Sequence, residues 1–358
     1  RRHVRRRTIH VSTPSASLHE GMVLVMKGRY FLSFFTFQTI LNTEIMAYAF
    51  IFPGQGSQYV GMGHDLAEAF SAAHHLFEEV DDALGQHLSR LMFNGPDEEL
   101  LLTENAQPAL MAVSMAVVRI LQKEGGLDLI KSCAFVAGHS LGEYSALTAA
   151  GALELADTAR LLKIRGQAMQ NAVPVGKGAM AALIGLDFED VVGIASDASN
   201  GEVCTPANDN APGQVVISGD KDAVGRALEL AEGKGCLRSV VLPVSAPFHC
   251  PLMKPAADVM EKALADISMF PPVVSLVANV TATSVDDPGV IRGLLVEQVT
   301  GMVRWRESVL YMREQGVMEL VELGAGRVLS SLTRRIDRDL SARSVQSPDD
   351  IEAVLKDF

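Results

Sequence analysis

Apolar positions along the chain follow two alternating rhythms. Short apolar runs bounded by glycine or proline, in "YAFIFPGQGSQ" (48–58) and "SCAFVAGHS" (132–140), read as buried strands. Around them, apolar residues recur at helical spacing over about 64–83, 106–124 and 154–172. The Ala-rich "LGEYSALTAAGAL" predicts a helix starting directly after the second strand. This alternation predicts an α/β fold with a parallel sheet.

The rhythm changes between 176 and 243. Strand patterns at 178–186, 202–209, 213–220 and 237–245 are separated by helical stretches at 188–199 and 221–235. The order β-α-β-β-α-β is that of a ferredoxin-like split unit. The larger rhythm then resumes with a helix over 251–267, a strand at 273–280, helices at 288–300 and 305–315, a strand at 317–324 and a helix over 327–336. The expected organisation is a larger α/β core, 46–175 and 244–358, interrupted by a small inserted domain, 176–243.

Residues 1–45 stand apart, with seven Lys/Arg against two acidic residues. The expectation is a leader: upstream sequence preceding a start at Met46, or a targeting segment. The whole chain has 358 residues and a net charge of -12, which argues against general nucleic-acid binding. Its four cysteines form no C-x-x-C pair, so reduced thiols are expected rather than a disulfide framework or a zinc site. No uninterrupted apolar run reaches 18 residues, which argues against a membrane span.

Gly138-His139-Ser140-Leu141-Gly142 fits G-x-S-x-G, in which a sharp strand-to-helix turn holds a serine oxygen out of the sheet. The competing reading makes Ser140 a helix cap. Nine histidines could supply a base. His139 adjoins the serine, and successive side chains diverge, so it is read as a support of the turn. His64, His74, His75 and His87 lie on polar helical stretches. His3, His10 and His19 lie in the leader. His249 in "PVSAPFHCPLM" follows a strand end in a Pro-rich loop and is the best candidate. Cys250 beside it is read as a structural thiol. The loop "FPGQGSQYVGMG" (52–63) lacks G-K-[ST] and is not a phosphate loop. Its use is a backbone N–H from Gln55, paired with that of Leu141, as an oxyanion hole. Arg165 lies on an otherwise apolar helix face. It either snorkels to the surface or points inward to bind a carboxylate. Glu143 and Tyr144 are read as supports of the helix start, with Glu143 favoured by the dipole.

"FPGQGSQ", "QPAL" (107–110), "GHSLGEYSAL", "RGQAMQ", "PANDNAPGQVVISG", "PVSAPFHCPLMKPA" and "ELGAGRVLSSL" together resemble the bacterial malonyl-CoA:acyl carrier protein transacylases. The resemblance covers about 46–340. It implies an α/β-hydrolase-like core with a ferredoxin-like insert, and a ping-pong transfer of malonyl from malonyl-CoA to acyl carrier protein for fatty-acid synthesis. It implies Ser140 as nucleophile, His249 as base, and a main-chain carbonyl at Gln298 holding the imidazole in place of an aspartate. Arg165 would bind the malonyl carboxylate, Asn208 would line the pocket, and Phe248 would crowd out an α-methyl branch. No cofactor is implied, because malonyl-CoA is a substrate. The expected protein is a cytoplasmic monomer, or a mitochondrial one if the leader is a transit peptide. Arg304 and Asp209 depart from the family pattern.

Three rival readings use the same core: a serine hydrolase of neutral esters, a non-enzymatic carrier-binding scaffold with a relic pocket, and the same transfer serving a polyketide or malonate-decarboxylase system. Carrier proteins of this kind are acidic, so docking on an acidic chain calls for a local basic patch. Arg327, Arg334 and Arg335 near one helix are the candidates, with Lys234 and Arg238 as the alternative.

Overall fold

The computed structural model describes residues 48–356, and the leader with its three histidines lies outside them. Two sheets organise the chain. The first contains β1 (Tyr48–Phe52), β2 (Phe135–Gly138), β7 (Leu276–Val277), β8 (Ser284–Val285), β9 (Glu319–Leu323) and β10 (Ser341–Val345). Its order is β10-β9-β1-β2-β7-β8. The first five of these pair in parallel, and β8 closes the edge antiparallel to β7. Both faces are covered, as a parallel sheet requires. Phe50 and Phe52 enter one core cluster, while Ala49 and Ile51, on the other face, pack with Trp305 and Leu320.

The second sheet contains β3 (Gly178–Ile184), β4 (Cys204–Ala211), β5 (Gln214–Asp220) and β6 (Arg238–Val241), in the order β4-β5-β3-β6 and antiparallel throughout. With helices Phe188–Ser199 and Lys221–Gly233 it has the expected βαββαβ order. Leu183, Ile217, Ile194 and Ala227 form a core of their own on its helix face, while Met180 and Val216 pack into the larger cluster.

Several elements differ from the sequence expectation. The helix expected over 64–83 breaks at Phe70, whose φ of -129° and ψ of 118° are extended. The strand expected over 273–280 shrinks to Leu276–Val277, because the backbone turns at Asn279 to meet the Ser140 turn. Strand β10 has no apolar run because it lies at the sheet edge, where Val345 alone of its five residues is buried. Among the described residues no helix is long and apolar enough to cross a membrane.

Candidate active site

The carboxyl ends of β1, β2 and β7 bring three loops together, which is where parallel sheets place their sites. Glycine makes the approach possible. A Cβ on Gly138 would lie 1.9 Å from the Gly142 carbonyl carbon, and one on Gly142 would lie 2.3 Å from the Phe52 carbonyl oxygen. A Cβ on Gly54 would lie 2.7 Å from the His139 carbonyl, so the loop carrying Gln55 rests against the elbow. Ser140 itself sits at φ 55°, the left-handed region that non-glycine residues occupy at a cost. Asn279 holds the strained turn from both sides. Its Oδ1 accepts the Ser140 N–H at 2.7 Å, and its Nδ2 donates to the Gly138 carbonyl at 2.7 Å.

His249 approaches from a loop that is itself at φ 56°. Its Nε2 lies 2.8 Å from Ser140 Oγ. Its Nδ1 lies 2.9 Å from the Gln298 carbonyl and 3.2 Å from that of Gly301. Carbonyls only accept, so the proton belongs on Nδ1 and Nε2 is free to accept from the serine. Burial, and then the nearby Arg165 cation, push this imidazole down to about 3. It is therefore neutral at physiological pH, the state a general base needs.

Arg165, on the helix Leu155–Asn171, is 1% exposed, which removes the snorkelling alternative. Its Nη1 donates to Gln107 Oε1 at 2.8 Å. Its Nη2 donates to Gln298 Oε1 at 2.8 Å and to Ser140 Oγ at 3.1 Å. The guanidinium also lies 5.7 Å from the centre of the Tyr144 ring. Its nearest partners are neutral, and it forms no ion pair among the described residues. A buried cation held this way is poised to receive an anion.

The Gln55 and Leu141 N–H groups donate to no acceptor among the described residues. Gln55 is steadied by its side chain, which reaches Thr103 Oγ1 at 3.4 Å. Phe248 is buried beside the histidine in the large core cluster. Asn208 is buried next to a bulge in β4 and bridges Val303. Two residues on, Asn210 Oδ1 lies 2.9 Å from His139 Nε2. The two residues that depart from the family pattern are both paired. Asp209 takes a two-point ion pair from Arg306, and Arg304 pairs with Glu307. Cys250 is buried, with its thiol donating to the Pro247 carbonyl at 3.1 Å and pushed up by burial.

The three docking candidates do not form one cluster. Arg327 precedes the helix Val328–Ile336, while Arg334 and Arg335 end it, about 10 Å further along the axis. All three are exposed, and Arg335 donates to Gln214 on β5.

Two residues escaped the sequence reading, and a third has a role beyond it. Asn279 lies in "VVSLVANV", where nothing distinguishes it from a strand residue. Gln107 was visible only as part of "QPAL". Glu143 stands in the first turn of the helix Gly142–Ala149, as expected, and its burial and partners add a role that the sequence does not display. It is 1% exposed, with Oε1 accepting the Asn279 N–H at 2.9 Å and Oε2 accepting from Gln298 Nε2.

Fold and site together define a class: an α/β enzyme with a serine at a strand-to-helix elbow, built to pass an acyl group. Residues 49–345 match the acyl transferase domain family, and the chain belongs to it. The chain is 47% identical over 309 residues to the malonyl CoA-acyl carrier protein transacylase of Escherichia coli strain K12, covering 86% of this chain and 99% of that protein. The crystal structure of the acyl-carrier-protein-S-malonyltransferase from Bartonella henselae is similar, with a TM-score of 0.85 and 55% identity over 87% of this chain and 99% of that one. A malonyl-transacylase solved in complex with its type II PKS acyl-carrier protein matches with a TM-score of 0.84 and 44% identity, over 87% and 99%.

Proposed function

We propose that the chain moves a malonyl group from malonyl-CoA to the phosphopantetheine thiol of an acyl carrier protein through a malonyl-Ser140 intermediate. Ser140 Oγ attacks the thioester carbonyl while His249 Nε2 takes its proton. The oxyanion is received by the Gln55 and Leu141 N–H groups. The carbon–sulfur bond breaks, and CoA leaves as a thiol protonated by His249. The carrier thiol then attacks the malonyl-serine by the reverse sequence. The scheme closes on thioester, serine and imidazole, with no metal or redox cofactor.

The observation that carries this reading is the Arg165 guanidinium, buried without a carboxylate partner and 3.1 Å from Ser140 Oγ. A malonyl group places its free carboxylate two carbons from the bond being made, next to that cation. A site for neutral esters has no use for it, which disfavours the hydrolase reading. Phe248 narrows the pocket against a methyl branch, and Asn208 lines it. Transfer to a polyketide carrier is the second reading, favoured by the likeness to the transacylase bound to a type II PKS carrier. The four free cysteines suit a reducing compartment such as the cytoplasm. Residues 46–175 with 244–358 would act as the catalytic core and 176–243 as an insert beside it.

Intact-mass measurement after mixing with malonyl-CoA tests the reading. The expected result is a single malonyl adduct, absent in Ser140→Ala. No adduct on the unaltered protein overturns it.

A further inference from the structure

We propose that Glu143 is a positioning residue for acyl transfer: its carboxylate fixes the Gln298 side-chain amide and, through that amide, the Arg165 guanidinium. This rests on the function proposed above.

The two ends of an amide are alike in shape, so only its hydrogen-bond partners decide which end faces where. Arg165 offers donors alone and requires Gln298 Oε1. The Ser140 carbonyl accepts alone and takes Gln298 Nε2 at 2.9 Å. Ionised Glu143 also accepts alone and takes the same Nε2. Two acceptors on one side and a donor on the other hold the amide in one orientation. The same residue's main-chain oxygen holds His249 Nδ1. The second carboxylate oxygen takes the N–H of Asn279, whose side chain holds the elbow. One buried carboxylate thus ties the serine turn to the segments that orient the arginine and the histidine.

A protonated Glu143 loses this acceptor-only character, so positioning depends on its ionisation. The charged and titratable side chains acting on it among the described residues are Arg165, from the facing helix, and Tyr144, from its own. The segments carrying Asn279 and Gln298 contribute neutral amides. Burial raises Glu143 to about 7, against its hydrogen bonds and Arg165. His249, pushed to about 3, stays neutral throughout that range. An acid limb in the acylation rate near neutrality that disappears with the Glu143 carboxylate is the signature of this ionisation.

The test is single-turnover malonylation of Ser140, followed by quench and intact mass from about pH 5.5 to about 9. Unaltered protein, Glu143→Gln and Glu143→Asp are compared, each with its melting temperature. The unaltered protein is expected to gain rate as pH rises through about 7. Glu143→Gln, which is isosteric, should lose that limb and run about tenfold to a hundredfold slower. It should also lose more rate with malonyl-CoA than with acetyl-CoA, because Arg165 is the group displaced. Glu143→Asp should keep a limb at reduced rate. A Gln variant that keeps the original limb overturns the inference. So does a loss equal for both thioesters that tracks the melting temperature alone. If the unaltered protein forms no adduct, the proposed function itself fails, which is a distinct result.

Discussion

Arg165→Met isolates the charge that the proposed function depends on. Methionine keeps most of the apolar stem and removes the planar donor set. In the free protein that donor set serves Gln107, Gln298 and Ser140 Oγ. Its loss frees two buried amide oxygens, each costing about 1–3 kcal/mol when unpaired. Relief from burying a cation whose nearest partners are neutral offsets part of that. The effect on substrate is larger and one-sided. Removing one partner of a desolvated charge pair costs about 2–5 kcal/mol. At about 1.4 kcal/mol per decade, kcat/KM for malonyl-CoA should fall about thirtyfold to a few thousandfold. Acetyl-CoA presents no carboxylate, and the cost of the freed amides falls on ground and transition state alike, so its loss should stay below about tenfold. The assay is Ser140 acylation by each thioester at matched concentration, read by intact mass against time. Equal losses for the two would refute the carboxylate role of Arg165.

Three further outcomes follow from the geometry. Gly142→Ala would place a Cβ 2.3 Å from a backbone oxygen that cannot move aside, so Tm should fall by about 2–10 °C; an unchanged melt would show that the elbow can relax. His249 is neutral when folded well below the ordinary imidazole value, so its contribution to stability is present above about pH 6.5 and lost as pH falls toward about 3. His249→Asn, which tolerates the positive φ, should gain on the unaltered protein by about 1.4 kcal/mol per pH unit below about 6.5 in denaturant titrations, and a pH-independent difference would contradict the burial argument. Reversing Arg334 and Arg335 to Glu should raise KM for the carrier protein and spare that for malonyl-CoA; unchanged carrier kinetics would remove this end of the helix as a docking site.

The α/β rhythm was legible because both faces of β1 and β2 are buried, which forces continuous apolar runs. The βαββαβ order was legible for a different reason: strand-like and helix-like periods alternate along 178–241. Strand β10 was hidden because an edge strand needs no apolar run, and the shortened β7 because Asn279 serves the elbow rather than the ladder. At the site, G-x-S-x-G carried a local geometric requirement that a sequence can display. The meeting of Ser140 with His249 across 109 positions has no local mark; elimination among the histidines pointed to His249, and the family resemblance implied the pairing. The Glu143–Gln298–Asn279 network was illegible in principle, since burial of an acid in the first turn depends on what packs over it.

The charge of Arg165 bears on the base as well as on the substrate. Its field is the second cause, after burial, that depresses the His249 imidazolium. In the proposed mechanism the imidazolium must form as Ser140 attacks, so a guanidinium whose nearest partners are neutral opposes the step it serves. A malonyl carboxylate seated on Arg165 cancels that field at the moment of reaction, and an acetyl group cannot. Selectivity then appears in the chemical step as well as in binding. The neutral amides of Gln107 and Gln298 make this possible. A carboxylate at either position would pair with the arginine in the free protein and leave the substrate's charge with nothing to change. Gln107→Glu should therefore narrow the difference between malonyl- and acetyl-CoA in kcat and not only in KM. A change confined to KM would mean that Arg165 acts in binding alone.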